Sequence, residues 1–461
     1  MSNYEHAIVI GGSMAGLLAA RALSDHFQRV TIIERDSLPT EADARAGVPQ
    51  GRHLHVLLAK GQQVLDRLFP GLSADLDAAG VPTLDIGTQY GGLTSGGWLK
   101  PFGAGRLTSR TPSRPTLEHL VRQRLLRNPA ISILERTDVD GLLTDDGKQR
   151  IVGVQVTSRA DHRSDALHAD MVVDCSGRNS KGPEWLAALG HDAPHETMVN
   201  SNVSYATRVY EANPTAAWTA ITVAGRPTEN LKRGGGIILA EGGRWIVTLV
   251  GVNGDVPPND EAGFLAFAKS LATPVLYEVI KDARPLTAIT GFRYQGSRIR
   301  HYERLTRRPE RLLLMGDAVC SFNPIYGQGM TVAALEADLL GTLLTARAGK
   351  PLDGLATAFQ RALPRCTRDA WLMATGEDLR YPETVGERPN GLMRMVQVYM
   401  DWALAATASD AGVAETFARV AQLLDAPSVL FRPQVMLAVL RNRFFNRPQA
   451  QTAPEMFLAA R

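Results

Sequence analysis

Cysteine is scarce in this chain: Cys175, Cys320 and Cys366 are the only three in 461 residues. An odd number cannot all pair, and none shows metal-ligand or Cys-x-x-Cys spacing. A disulfide scaffold, a zinc module and a dithiol reductase are therefore disfavoured. Long apolar runs are missing too. None reaches the ~18 residues that a membrane-spanning helix needs, so membrane contact is at most peripheral. A dominant charge is absent: 50 Lys and Arg against 47 Asp and Glu leave a formal net charge of +3. No basic run is interleaved with aromatics, which speaks against a nucleic-acid partner. There is no internal repeat and no low-complexity tract. The first apolar strand begins within a few residues of Met1, leaving no room for a signal peptide, and a reducing cytoplasm is the expected compartment.

What is present is a dinucleotide signature. Ala7–Ile10 reads as a short apolar strand, and Leu17–Leu23 begins an alanine-rich helix. Between them Gly11, Ser13 and Gly16 keep the spacing of a phosphate-binding turn, with Met14 and Ala15 inside it. Ser13 stands where a glycine is usual and is small enough for close approach. A second strand, Val30–Ile33, ends in Glu34, about twenty residues past the loop, where a carboxylate meets ribose hydroxyls. Arg35 follows directly and by itself reads as a surface charge.

A second signature lies about 300 residues further on. Leu312–Met315 is a buried apolar strand, and a helix is expected from about Met330. Between them, Gly316 and Asp317 end the strand, and Pro324, Gly327, Gln328 and Gly329 form a loop. Asp317 can accept hydrogen bonds from a sugar hydroxyl. Gly327 and Gly329 let a ligand reach backbone N–H groups, and the helix points its positive end at that ligand. Alone this is any strand-turn-helix. With the first signature it suggests one long cofactor, its ADP part at the N-terminal site and its ribityl-flavin part at Asp317.

These residues resemble the FAD-dependent monooxygenases of the p-hydroxybenzoate hydroxylase fold, and among them the bacterial polyene epoxidases of polyether (monensin and lasalocid) biosynthesis. The matching segments include GGSMAG (Gly11–Gly16), GVPQGRHLH (Gly47–His55), SRPTLEHLVRQ (Ser113–Gln123), VVDCSGR (Val172–Arg178) and GDAVCSFNPIYGQGM (Gly316–Met330). The resemblance implies FAD held by Gly11, Ser13, Met14, Ala15, Gly16, Glu34, Arg35, Arg45, Arg52, His53, Arg114, Gly316, Asp317, Gly329 and Met330. It implies a peroxide pocket shaped by Pro324, Gly327, Gln328 and Gly329, with no acid or base assigned. NADPH or NADH, or a separate flavin reductase, would reduce FAD, and O2 would give a C4a-hydroperoxyflavin that attacks a lipophilic polyketide or terpenoid alkene. An aromatic hydroxylase, a flavin-dependent halogenase and a prenyl-chain reductase are the alternatives. Asp174-x-Ser176-Gly177 departs from the Asp-Gly turn of aromatic hydroxylases and puts the usual nicotinamide route in doubt. Halogenases share it, but their Trp-x-Trp-x-Ile-Pro segment is absent.

The expected fold is α/β: a discontinuous Rossmann-like FAD-binding domain (1–190 and 301–345), an inserted antiparallel β-sheet substrate domain (191–300) and a C-terminal helical region (346–461). Helices are expected over Leu54–Phe69 and Arg114–Leu126, the first from its apolar spacing. His53 and His55 lack metal partners; they either line the cofactor or satisfy backbone groups. Arg122 is either a solvated helix charge or a second contact. Tyr205, Arg208, Arg293 and Tyr294 either line the cavity or face outward. The Met- and Leu-rich stripes at Leu392–Met400 and Val435–Leu440 read as helical core, or as an adaptable apolar pocket.

Overall fold

The computed structural model describes residues 4–226, 231–445 and 457. A five-stranded parallel sheet carries the N-terminal signature. Its strands run in the order Leu312–Leu314, Met171–Asp174, Tyr4–Ile10, Phe27–Ile33 and Ile131–Leu134. They are almost wholly apolar because helices cover both faces of such a sheet. The helices Met14–Leu23 and Gly329–Thr345 pack on it and share one core with Leu17, Leu18, Ala337 and Leu340. The chain thus leaves this sheet after Asp174 and returns at Leu312.

The intervening chain builds most of a second, seven-stranded sheet. Its order is Thr290–Tyr294, Val203–Glu211, Arg244–Gly251, Arg233–Ala240, Ala220–Val223, Tyr90–Thr94 and Gly97–Trp98. The last two strands correct the expected 191–300 boundary of this sheet. Tyr90–Thr94 pairs in parallel with Ala220–Val223, far along the chain, and no local periodicity announces such a partner. One side of this sheet carries the stacked pair Trp218 and Trp245 and packs on Phe264 and Phe267, while Ile238, Ala240 and Ile246 on the other pack with Ala59, Leu84 and Leu107.

Two further expectations change. The helix expected from Leu54 starts only at Ala59 and runs to Leu68. Leu54 N–H is instead bound by Thr248 Oγ1, and Leu57 bridges Arg110, so tertiary bonds hold this stretch extended. The stripes of the C-terminal helices Gly391–Thr407 and Pro433–Phe445 are not core throughout. Leu392 and Met395 on one and Leu437 on the other are about 70% exposed. No helix among the described residues is long and apolar enough to cross a membrane.

Candidate functional site

The turn after the first strand is built by steric necessity. Gly11 has φ +99, and a Cβ there would lie 2.6 Å from the Cys175 carbonyl oxygen. A Cβ at Gly16 would fall 1.8 Å from Gly11 O. Gly12 N–H donates to Glu34 Oε2 at 2.8 Å, and Asp36 N–H donates to Oε1 at 2.9 Å. The carboxylate expected to meet the ribose therefore sits beside the phosphate loop. Met14 is buried in the core, and Ala15 touches the second half-site, since a Cβ on Gly316 would lie 2.8 Å from Ala15 Cβ. Segments about 300 residues apart in sequence abut in space.

A buried ion network walls this end. Arg45 reaches Glu34 at 3.2 Å, Asp36 at 2.8 Å and Glu118 at 3.2 Å. Arg114 pairs with Glu118 at 2.6 Å and donates to Ser13 Oγ at 2.7 Å, while the Ser13 hydroxyl donates to Glu118 at 3.0 Å. Burial opposes the charge on Glu118, but Arg114 and Arg45 beside it hold its carboxyl below the usual range. A small cleft opens beside Arg45, Arg114 and Glu118. Arg122, also on its wall, is buried and donates to Pro39 O, so it is not a solvated helix charge. Arg35 and Arg52 are exposed, and Arg35 approaches only Asp36 at 3.9 Å.

The other end is held differently. Gly316 (φ +64) turns the chain, and its N–H donates to Glu336 at 2.5 Å. Glu336 comes from the Gly329–Thr345 helix; burial, with no cation to offset it, pushes its pKa up to about 8. Asp317 is exposed. Crowding raises its pKa, and Arg178, Arg114 and Arg298 pull the other way. Beyond it, Asn323 donates to both oxygens of Asp378 (2.9 and 3.1 Å) and accepts from Tyr205 O–H at 3.2 Å. Tyr326 O–H donates to Asp378 at 3.3 Å. Gly327 (φ +64) lies against Val56, 3.1 Å from a Cβ placed there. Gln328 is buried, Met330 packs against the core, and Pro324 is exposed.

On the large sheet, alternation sorts the candidates. Tyr205 and Tyr294 are buried, Arg208 pairs with Glu261 at 3.3 Å, and Arg293 is exposed. His53 is buried among Tyr205, Phe292 and Thr207. Asp174 is spent on its own turn, accepting from Ser176 O–H at 2.6 Å and Ser180 O–H at 2.5 Å. Cys175 and Cys320 are free and buried, and burial pushes both thiols well up, as small hydrophobes require.

These residues fit FAD. Both helices at the cleft, Met14–Leu23 and Gly329–Thr345, lack a side-chain cap and an acidic residue in the first turn. The helices Ala59–Leu68, Leu355–Ala362 and Pro364–Asp378 share this, whereas those from Arg114, Glu261, Gly391 and Ala411 are side-chain capped. What sets Met14–Leu23 and Gly329–Thr345 apart is that each opens directly from a glycine-bearing turn after a strand of the parallel sheet or its loop. Ser13 could cap the first helix, but its hydroxyl is turned to Glu118. Gly329 has open space where a side chain would be, and Arg114 Nε and Gln328 Oε1 lack partners among the described residues. Free N–H groups at these ends suit a pyrophosphate at one and a developing anion at the other.

A family model described as FAD binding domain matches residues 4–366. The chain belongs to this FAD-binding domain family. It is 36% identical over 433 residues to Protein Rv3254 of Mycobacterium tuberculosis (strain ATCC 25618 / H37Rv), a match covering 92% of this chain and 90% of that one. Its fold is that of p-nitrophenol 4-monooxygenase PnpA from Pseudomonas putida DLL-E4 (TM-score 0.63, 17% identity, 93% of this chain and 100% of that one). It is equally that of the flavin-dependent brominase Bmp2 (TM-score 0.66, 14% identity, 96% and 100%). The expected α/β class, with a Rossmann-like parallel sheet, antiparallel sheets and C-terminal helices, is borne out.

Sequence reasoning missed the carboxylates that brace the FAD site. Glu118 lies one helical turn after Arg114, an i,i+4 spacing that could have flagged the pair. Glu336 and Asp378 carry no such signal, because their partners lie 20 and 55 residues away.

Proposed function

We propose that this flavoprotein is an FAD-dependent monooxygenase that uses O2 to epoxidise alkenes of a lipophilic polyketide or terpenoid. The observation carrying the reading is the uncapped N-terminus of the Gly329–Thr345 helix, set behind a loop that the substrate sheet contacts through Tyr205 and Asn323. When bound, FAD supplies the activation of O2. The protein's part is orientation and exclusion of water. Free N–H groups at Gly329 favour an anionic reduced ring. Tyr205, Phe292 and Tyr294 give the sheet side an apolar wall. Phenol hydroxylation needs a base to form the phenolate, whereas alkene epoxidation needs none. Burial pushes the Tyr205 and Tyr294 hydroxyls up, so neither supplies that base near neutral pH. NADPH or NADH, or a separate reductase, supplies electrons. A nicotinamide contact through Asp174 would first have to break its bonds to Ser176 and Ser180.

The test is stopped-flow absorbance. FAD-loaded protein is reduced anaerobically with dithionite and mixed with oxygenated buffer. An O2-dependent transient should precede the oxidised spectrum and decay faster with a long-chain terpenoid alkene, whose product gains one oxygen in mass. Direct return to oxidised flavin with no transient would sink the proposal. A gain of two hydrogens would point to a reductase, and chloride dependence to a halogenase.

A further inference from the structure

Strands Val203–Glu211 and Arg244–Gly251 place Thr207 and Thr248 directly opposite each other. Both are buried, and their hydroxyl oxygens are 2.6 Å apart. Leu54 N–H donates to Thr248 Oγ1 at 3.1 Å, and His53 Nδ1 lies 2.7 Å from Thr207 Oγ1. One direction gives every hydrogen a place. Thr248 has no acceptor other than Thr207 among the described residues, so its hydroxyl donates there. Thr207 then donates its own hydrogen to His53 Nδ1. A neutral imidazole carries a single N–H, and with Nδ1 accepting, that hydrogen sits on Nε2. The opposite direction would strand the Thr248 hydrogen without a partner in a buried position.

Burial, reinforced by Arg52, pushes the His53 pKa down to about 4, so the ring stays neutral at working pH. His53 is only 6% exposed, and its Nε2 is enclosed and has no partner among the described residues. The ring stands 6.0 Å from that of Tyr205 and 5.4 Å from that of Phe292, on the side of the sheet where Tyr205 bonds Asn323 of the flavin loop. Enclosed donors in folded proteins are nearly always paired. As the side chains stand no space adjoins Nε2, so an acceptor on a bound molecule reaches it only when a neighbouring ring such as Phe292, 5.4 Å away, shifts.

We propose that His53 is a prewired neutral donor whose Nε2–H binds a carbonyl-type acceptor on a molecule seated between the large sheet and the 322–329 loop. Two sources share that chemistry: the carbonyl edge of the isoalloxazine, and a keto or ester oxygen on the substrate. The substrate source rests on the monooxygenase reading; the wiring does not.

Nitrogen-15 NMR of the full chain, labelled at histidine, reads the tautomer directly. His53 should be protonated at Nε2 between about pH 6 and 8. Thr207→Val removes the relaying hydroxyl but keeps the branched shape, and should let the Nδ1–H form appear. A dominant Nδ1–H form in the parent chain would overturn the wiring. Two titrations then identify the acceptor: FAD binding by flavin fluorescence, and binding of 2-undecanone by the FAD-loaded protein. His53→Phe should weaken one of them about tenfold, the worth of one hydrogen bond. His53→Gln, which can still donate, should recover part of the loss. If His53→Phe misfolds, judged by circular dichroism, Thr207→Val serves in the same titrations. If neither affinity shifts about tenfold, the donor role is overturned. Neither titration reads oxygen transfer, so its failure and that of the monooxygenase proposal are distinguishable.

Discussion

The two ends of the FAD cleft bury carboxylates in opposite ways. At the Gly11–Gly16 end, Glu34, Asp36 and Glu118 share the guanidinium of Arg45, and Glu118 also holds that of Arg114. At the Gly316–Gly329 end, Glu336 and Asp378 have no cation partner among the described residues and are met only by N–H and O–H donors. Burial of an unpaired carboxylate favours its neutral form, whereas a paired one stays charged. The first end thus holds fixed charge, and the second holds groups that titrate within the working range. This arrangement suits a rigid anchor for the pyrophosphate and a responsive frame around a ring that changes charge.

The sharpest way to break the comparison is Glu118→Ala. It leaves Arg45 short of a partner and Arg114 buried without its carboxylate, and should destabilise the fold by about 3–5 kcal/mol in urea unfolding. A cost below about 1 kcal/mol would mean that the network is looser than its distances imply. Asp378→Asn should cost less, about 1–3 kcal/mol, because the new amide faces the Asn323 amide donor to donor. It should also weaken FAD binding in a fluorescence titration, since the carboxamide leaves Asn323 and Tyr326 one acceptor oxygen to share where the carboxylate gave two. An unchanged affinity would show that Asp378 braces the helix and not the loop. The subtlest test follows Glu336. Its folded pKa lies above its unfolded value, so the native state binds the extra proton. Stability should therefore fall as pH rises from about 4.5 to about 8, by up to ~1.4 kcal/mol per pH unit. Glu336→Gln, permanently neutral, should flatten that part of the profile; an unaltered slope would assign it to other groups.

The strand, turn, helix and terminal carboxylate of residues 4–34 were legible because each is set by neighbours close in sequence. The Leu312–Leu314 strand and the helix after Gly329 were readable for the same reason. Where the expectation failed, a distant partner had decided the matter. Leu54–Leu58 has helical spacing, yet Thr248 and Arg110 hold it extended. Tyr90–Thr94 finds its partner at Ala220–Val223. Arg35 and Arg52 were named from their place beside a motif, and both stand exposed there. The apolar stripe at Leu392–Met400 shows the converse error, since periodicity reports a face without saying that anything covers it.

Asp378 lies twelve residues past the last position matched by the FAD-binding family model, residue 366. A fragment trimmed to that limit would retain every glycine of both half-sites. It would still lack the acceptor that Asn323 and Tyr326 share, and with it the tie between the flavin loop and the helix Pro364–Asp378. In this chain the unit that folds around a flavin is longer than the unit that carries its signature.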